Sequence, residues 1–416
     1  MFYKEMNLVE TSVAEIPKQW NVVKIEDIAL SKKGAIKIGP FGSQIKKSEM
    51  VPKGVKIYGQ ENVIENNFGI GNRYISPDKY ERLKNFEIFP GDILITMMGS
   101  IGYAALFPEN ASKGIMDSHL LRIQVKKELV LPTFLLQIVG SSIIKKQIRS
   151  ISRGAIMSGL NSETVRSIGI PLPPLDEQAE IVGVLGVVDS AIELVNRVIW
   201  KTERLKKGLM QTLLTKGIGH TEYKDTPIGR IPKEWEVDKL ESVVEIHDSK
   251  RIPLSEMERK GRKGPYPYCG ANGIIDHIND FIFDGEYVLL AEDGGSYGKF
   301  ESSAYVMSGK FWVNNHAHIL RANAEKTSNQ FLKLTLDFLD LNPYIVGSTR
   351  KKLNQEQMRG INIPLPPVPE QQRIAEIFSE VDKKLEVERS EKARLERVKR
   401  GLMDLLLTGR IRVKVD

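Results

Sequence analysis

A single cysteine, Cys269, among 416 residues excludes an intramolecular disulfide and any zinc site built on several thiolates, and it suits a reducing compartment. Long apolar runs are missing too. The uncharged stretch from Val130 to Ile144 falls short of the roughly 18 residues a bilayer span needs. The N-terminal MFYKEMNLVE carries charge from its first residues and has no apolar run before a small-residue cleavage site, so the expectation is a soluble cytoplasmic protein with no membrane association. Several catalytic motifs are also lacking. There is no G-x-x-x-x-G-K-[ST] phosphate loop, so ATP-driven work would need another chain. A polar residue before Pro-Pro-aromatic, the mark of amino-methylating enzymes, does not occur, because both Pro-Pro pairs precede Leu175 or Val368. The sole Pro-Asp, Pro77-Asp78, has no acidic-x-Lys after it in its module, which disfavours a metal-dependent nuclease. Phe68-Gly69-Ile70-Gly71-Asn72 lacks a third glycine and reads as a turn, and His316 with His318 has no third ligand in view, so no metal is expected.

What is present is ordinary in amount and unusual in arrangement. Sixty Lys plus Arg against 53 Asp plus Glu give +7, compatible with a nucleic-acid partner without requiring one. At 41% hydrophobic the chain can build globular cores, and at about 150 residues per domain it should hold two or three. The chain is internally duplicated. IGIPLPPLDEQAEIVGVLGVVD from Ile168 returns as INIPLPPVPEQQRIAEIFSEVD from Ile361, 193 residues later, and Lys207 to Met210 with Leu213-Leu214-Thr215 returns in the same register as Arg400 to Met403 with Leu406-Leu407-Thr408. ETSVAEIPKQW from Glu10 returns as DTPIGRIPKEW from Asp225, an offset of 215. Between these anchors Gly99-Ser100-Ile101-Gly102 pairs with Gly295 to Gly298, His119 to Arg122 with His318 to Arg321, and Leu160-Asn161 with Leu353-Asn354.

Each half therefore reads as a mixed α/β module followed by a long helix. Strand-like runs occur at Gly91–Thr96 and Gly285–Leu290, and a helical stretch lies near Thr133 to Ile148. After Pro173-Pro174 a helical pattern of about 40 residues begins, roughly 60 Å in length. Its apolar residues fall on heptads: Ile181, Val188, Val195 and Leu209 in one position, Leu185, Ile192, Ile199 and Leu213 in the other, interrupted by Thr202 and Lys206. The second tail keeps Ile374, Val381, Leu395, Leu402, Phe378, Leu385 and Leu406 but places Glu388, Lys392 and Lys399 in the seam. Two such helices in one chain predict antiparallel pairing with each other. The boundaries expected are a first module over 1–167, a helical region over 168–216, a Gly- and Thr-rich linker over 217–232, a second module over 233–360 and a second helical region over 361–416.

The doubled I-P-K-x-W (Ile16, Pro17, Lys18, Trp20; Ile231, Pro232, Lys233, Trp235) and the doubled I-P-L-P-P with Glu-Gln (Ile170 to Pro174, Glu177-Gln178; Ile363 to Pro367, Glu370-Gln371) resemble the specificity subunits of type I restriction-modification enzymes. The Gly-Leu-Met helix ends and the order module, helix, module, helix extend the resemblance over essentially the whole chain. The resemblance implies a non-catalytic reader of double-stranded DNA, with two target recognition domains that each take half of a split site and antiparallel helices that set the gap. It also implies two methyltransferase subunits and restriction-translocase subunits as partners, with S-adenosylmethionine, ATP and magnesium on those partners and no cofactor on this chain. A duplicated protein-interaction scaffold that binds no DNA is the alternative.

Side chains that read bases and phosphates are Arg, Lys, Asn, Gln and hydroxyls on turns. Those criteria select Ser43, Gln44, Lys46 and Lys47 in GPFGSQIKK, then Gln60 and Asn62, in the first module, and Tyr268, Asn272, Ser296 and Tyr297 in the second. Loops at matching positions before each Leu-Asn carry Arg153 in one half and Arg350, Lys351 and Lys352 in the other, which makes them candidate phosphate clamps. Solvation alone also explains loop lysines and arginines, so matched position is what favours this pair. Leu209, Met210, Leu213, Leu402, Met403 and Leu406 at the helix ends are expected to dock the methyltransferase subunits.

Overall fold

The computed structural model describes residues 2–41, 44–152, 161–347 and 351–414. The chain divides into two compact units: Met1–Leu194 with Glu391–Asp416, and Val195–Ser390. The division cuts both long helices, so each unit owns one module and half of each helix, a partition different from the module-then-helix boundaries read from sequence.

The helices span Leu175–Lys216 and Val368–Leu406. Each starts directly after a Pro-Pro pair, with Asp176 and Glu177 or Glu370 in the first turn, where carboxylates meet the positive end of the helix dipole. Past each end a glycine takes the left-handed conformation, Gly217 at φ +65° and Gly409 at φ +66°. The heptad reading holds: the first-helix seam residues from Ile181 to Leu213 are all buried or half-buried, Thr202 among them, while Val187, Leu194, Trp200 and Leu205 between them are exposed. One polar seam residue in each unit is paired across the helices. Asp189 meets Lys399 at 2.6 Å in the first unit, and Lys206 meets Asp382 at 2.5 Å in the second. Partner numbers fall along one helix as they rise along the other, so the helices run antiparallel.

In the first unit a four-stranded antiparallel sheet has the order Ala104–Leu106, Ile93–Thr96, Leu120–Ile123, Ile36–Ile38, and a second sheet pairs Val55–Tyr58 in parallel with Gly114–Met116. The second unit repeats this order with Ala304–Val313, Phe283–Ala291, Ala317–Ala322 and Val244–Ile246, and Lys263–Gly270 again runs parallel to Ala304–Val313. One unbroken strand in the second unit thus does the work of two short ones in the first. Helices Pro132–Val139 and Asn329–Phe338 pack their apolar faces into the respective cores, and the predicted helix near 133–148 is split at Gly140 into Pro132–Val139 and Ser142–Ser152.

The doubled motifs meet at one corner in each unit. The strand after I-P-K-x-W pairs with the I-P-L-P strand, Asn21–Lys24 with Gly169–Leu172 and Glu236–Lys239 with Asn362–Leu365. Trp20 and Trp235, both buried, donate their indole N–H to Glu177 Oε2 and Glu370 Oε2 at 3.0 Å. Gln178 donates to the carbonyls of Leu129 and Pro173 and accepts from the Leu131 N–H, while Gln371 donates to Lys326 and Pro366 and accepts from the Thr327 hydroxyl. The Glu-Gln pair therefore fastens each helix start to its module. Segment 217–232, read from sequence as a linker, completes the second corner: it carries the hairpin Tyr223–Thr226 with Gly229–Pro232, and His220 Nε2 lies 3.0 Å from Glu370 Oε2. In the first unit the strands Phe2–Lys4 and Ile411–Val413 pair, and Arg412 reaches Glu177, Glu5 and Gln19. The Glu177 contact raises the Arg412 guanidinium above its ordinary value.

The six helix-end residues expected to dock partners belong to these cores. Met210 packs beside Trp235, Ile374 and Phe378, with Leu209 and Leu213 against the same cluster. Met403 and Leu406 join the first core, with Leu402 against it. Met210, Met403 and Leu406 are buried and Leu209, Leu213 and Leu402 half-buried against the module that the helix ends on. Exposed apolar residues on the helices are instead Val187, Leu194 and Val398 in the first unit, and Trp200, Leu205 and Val387 in the second.

Candidate nucleic-acid interface

One end of each module gathers loops from several strands. In the first unit the loop after Ile36–Ile38 lies against the turn at Asp117. A Cβ on Gly39 would sit 1.8 Å from the Asp117 carbonyl oxygen, so only glycine permits this approach. The Gln44 N–H donates to the Phe41 carbonyl, and Gln44, Lys46 and Lys47 are exposed, as is Phe41 at 78%. Alongside, the hairpin between Ile93–Thr96 and Ala104–Leu106 carries exposed Met98 and Tyr103, and its Met97 N–H donates to the His119 carbonyl. Arg73 clamps Asp117 at 2.9 Å and Glu61 at 2.8 Å, next to Gln60. Helix Gln60–Ile64 leaves Gln60 half-buried with its Oε1 unpartnered among the described residues.

The matching end of the second unit is built the same way. Asn272 donates to the Gly294 carbonyl at 2.9 Å, and Ser296 is exposed on the same hairpin. Lys352 bridges by backbone to Asp293 and by its ammonium to Glu292 at 2.8 Å, beside exposed Lys351. Beneath this rim lies a charged core. His318 Nδ1 lies 2.6 Å from Asp248 Oδ2, its Nε2 lies 2.7 Å from the Leu353 carbonyl, and Asp248 also accepts from Gln355 and the Ile319 N–H. Burial alone would raise the Asp248 carboxyl, yet His318 and these donors hold it below its ordinary value. Burial likewise opposes ionisation of Glu292, which Lys352 and Arg251 overcome. His316 and His318 thus point to different carboxylates, Asp293 and Asp248.

In the first unit Gln60 lies at the Arg73–Asp117 end, while Gln44, Lys46 and Lys47 are exposed along the segment that leads from that turn to Met50; in the second, Asn272, Ser296, Lys351 and Lys352 come together around the Asp293–Gly294 turn. Three others are structural. Asn62 is 1% exposed, accepts from the Gly59 N–H and donates to the Asn67 and Ile70 carbonyls, which uses its amide to hold a turn. Tyr268 is buried and its hydroxyl accepts from the Leu254 N–H. Tyr297 is buried against Ala291, and burial pushes its phenol up to about 12. All three are engaged inside the fold, since a polar side chain on a turn is as useful for closing the turn as for facing a ligand. Ser43, Arg153 and Arg350 lie outside the described residues.

Strand register also revises the internal alignment. Ile95 pairs with Ala104 and Leu121, as Leu290 pairs with Ala304 and His318. Gly99 therefore matches Gly294, at φ +65° and +66°, and His119 matches His316 rather than His318. Arg73, His119 and His316 were not selected from sequence. A search for left-handed glycine followed by an Asx-x-His turn would have found the two histidines.

This geometry can engage an anionic, hydrogen-bonding polymer through amides, hydroxyls and ammonium groups on turns. The family described as type I restriction modification DNA specificity domain matches residues 17–204 and again 232–397. The type I restriction enzyme MjaVIII specificity subunit of Methanocaldococcus jannaschii is 28% identical over 445 residues, covering 99% of this chain and 98% of that one. Among solved structures, the crystal structure of a type I restriction-modification S subunit from M. genitalium shares the fold with TM-score 0.56, 15% identity and coverage of 96% and 97% of the two chains. A chain from a structure titled for complex assembly and conformational transition of the type I R-M system has TM-score 0.55, 19% identity and coverage of 95% and 99%. With two matched domains, each bearing its own motif corner and its own turn-rich end, the chain belongs to the type I restriction-modification DNA specificity family.

Proposed function

We propose that the chain reads double-stranded DNA as a split site, one half per unit, and scaffolds two methyltransferase subunits and restriction-translocase subunits that bring S-adenosylmethionine, ATP and magnesium. The observation that carries this reading is a shared frame with unlike rims. Both units fold with the same strand order, yet one rim presents Phe41, Gln44, Met98 and Tyr103 and the other Asn272, Ser296 and Lys351. A common frame gives a common approach to a duplex, and different rims select different bases. The gap between the halves follows from the antiparallel helices that both units share, and their exposed apolar residues, such as Leu194 and Trp200, are the surfaces for the methyltransferase subunits. Catalysis resides in the partners, because reaching a base inside a duplex requires flipping it into a pocket that the methylating subunit supplies.

The experiment is selection from a random duplex library by the chain co-expressed with its methyltransferase partner. Two short unlike motifs at a fixed gap support the reading. Binding to polypeptides with no duplex enrichment would favour the protein scaffold instead.

A further inference from the structure

We infer that His119 and His316 are one station used twice, a contact to the DNA phosphodiester backbone on each unit; this rests on the DNA-reading function above. Four observations converge on them. They occupy the same place in the shared strand register, each with its carbonyl accepting from the first residue beyond the hairpin strand, Met97 or Glu292. Each sits in the same turn, in which its N–H donates to the side chain two residues earlier, Asp117 Oδ1 at 2.9 Å or Asn314 Oδ1 at 2.8 Å. Both side chains are nearly half exposed, 47% and 42%. Each also faces a carboxylate with Nδ1, Asp117 at 3.5 Å or Asp293 at 2.7 Å, and leaves Nε2 without a partner among the described residues.

In its imidazolium form each ring turns Nδ1–H toward its carboxylate and has Nε2–H left to donate to an oxygen anion outside the protein. The hairpin that each histidine's carbonyl holds carries a glycine in open space, since a Cβ on Gly99 or Gly294 would meet nothing within 4 Å. Register conservation across two modules whose other rim residues have diverged is the pattern expected of a contact that positions the duplex without specifying sequence. What surrounds the two rings differs. His119 has Asp117 with Arg73 behind it, Arg73 also holding Glu61, and Tyr103 on the neighbouring hairpin. His316 has Asp293, with Glu292, Lys352 and Arg251 on the adjoining elements. The common ring anchors the backbone while these unlike neighbours face the bases.

The test uses the full chain with its methyltransferase partner and two fluorescent duplexes, the selected site and a scrambled one, titrated by anisotropy at about pH 6 and about pH 8.5. His119→Gln and His316→Gln should each weaken binding to both duplexes by about 3- to 10-fold at about pH 6 and much less at about pH 8.5, and lower the salt slope by about 0.9. The sign follows from linkage: a ring that takes up a proton on meeting phosphate binds more tightly as pH falls. His119→Arg and His316→Arg should restore binding and remove the pH dependence, and they carry the test if a Gln variant unfolds early. Selected motifs should stay the same in every variant. Unchanged binding in the Gln variants, loss at only one station, or an altered motif would overturn the inference. If the parent complex shows no preference for any duplex, the DNA-reading function fails and takes this inference with it.

Discussion

The two motif corners have the same frame and different clasps. In the first unit Glu177 is held by Trp20 and by the Arg412 guanidinium, which also reaches Glu5 and Gln19. In the second, Glu370 is held by Trp235, by the Ile218 N–H and by His220. The comparison shows that a duplicated chain keeps the indole and the carboxylate, whose geometry is demanding, and lets the remaining side-chain partner vary. In the first unit the paired strands Phe2–Lys4 and Ile411–Val413 carry a long arginine that grips Glu177 with two nitrogens, whereas in the second the hairpin Tyr223–Thr226 with Gly229–Pro232 stands beside a short imidazole.

The largest effects should come from removing what both corners share. Trp20→Ala or Trp235→Ala should destabilise the chain by about 3–5 kcal/mol, because each deletes a fully buried ring and leaves a carboxylate without its indole donor; urea unfolding followed at several probes measures it. Equal losses would support equivalent corners, and a negligible loss at either would break the comparison. Arg412→Ala should cost about 3 kcal/mol, since Glu177 and Glu5 lose a common buried partner, against about 1 kcal/mol for His220→Ala, where Glu370 keeps two N–H donors. If the histidine variant cost more, the ranking of the two clasps would be wrong.

Acid should expose a further difference. The Asp248 carboxyl in the second unit lies below its ordinary 3.8, so its contribution is complete above that pH and disappears as pH falls through the lower folded value. Asp248→Asn should therefore be markedly less stable than the parent at neutral pH, with the gap closing only as pH falls below the ordinary carboxylate value of 3.8. A gap of constant size down to strong acid would mean that the buried pair with His318 contributes no ionic stabilisation. The smallest effect concerns the rims: Lys47→Ala or Lys351→Ala should lower the salt slope for all duplexes by about 0.9 each and leave selected motifs alone. A changed motif would reassign that lysine from phosphate to base.

Much of this organisation was legible in the sequence. Proline pairs, heptads and the 193-residue repeat mark where both helices start, because those signals are local and periodic, whereas the second helix stops at Leu406, inside the region read as 361–416, and a strand at Ile411–Val413 follows. Thr202 and Lys206 read as breaks in the seam, yet Thr202 is buried and Lys206 pairs with Asp382, since a partner helix far along the chain supplies what the heptad lacks. Site residues were legible only in part. Lys46, Lys47, Ser296 and Lys351 face solvent as expected, whereas Asn62, Tyr268 and Tyr297 turned inward, a choice made by non-local packing that composition cannot register. His119 was matched to His318 instead of His316 because the hairpins differ in length, Tyr103 closing one and Ser303 the other, and equivalence survives in strand register rather than in spacing.

The most direct test of two units reading two halves is selection from a random duplex library with the parent complex and with a variant carrying Asn272→Ala and Ser296→Ala in the second unit. The expected result is two unlike motifs at one gap, with only one of them relaxed in the variant. Enrichment of a single motif, or relaxation of both together, would contradict the account.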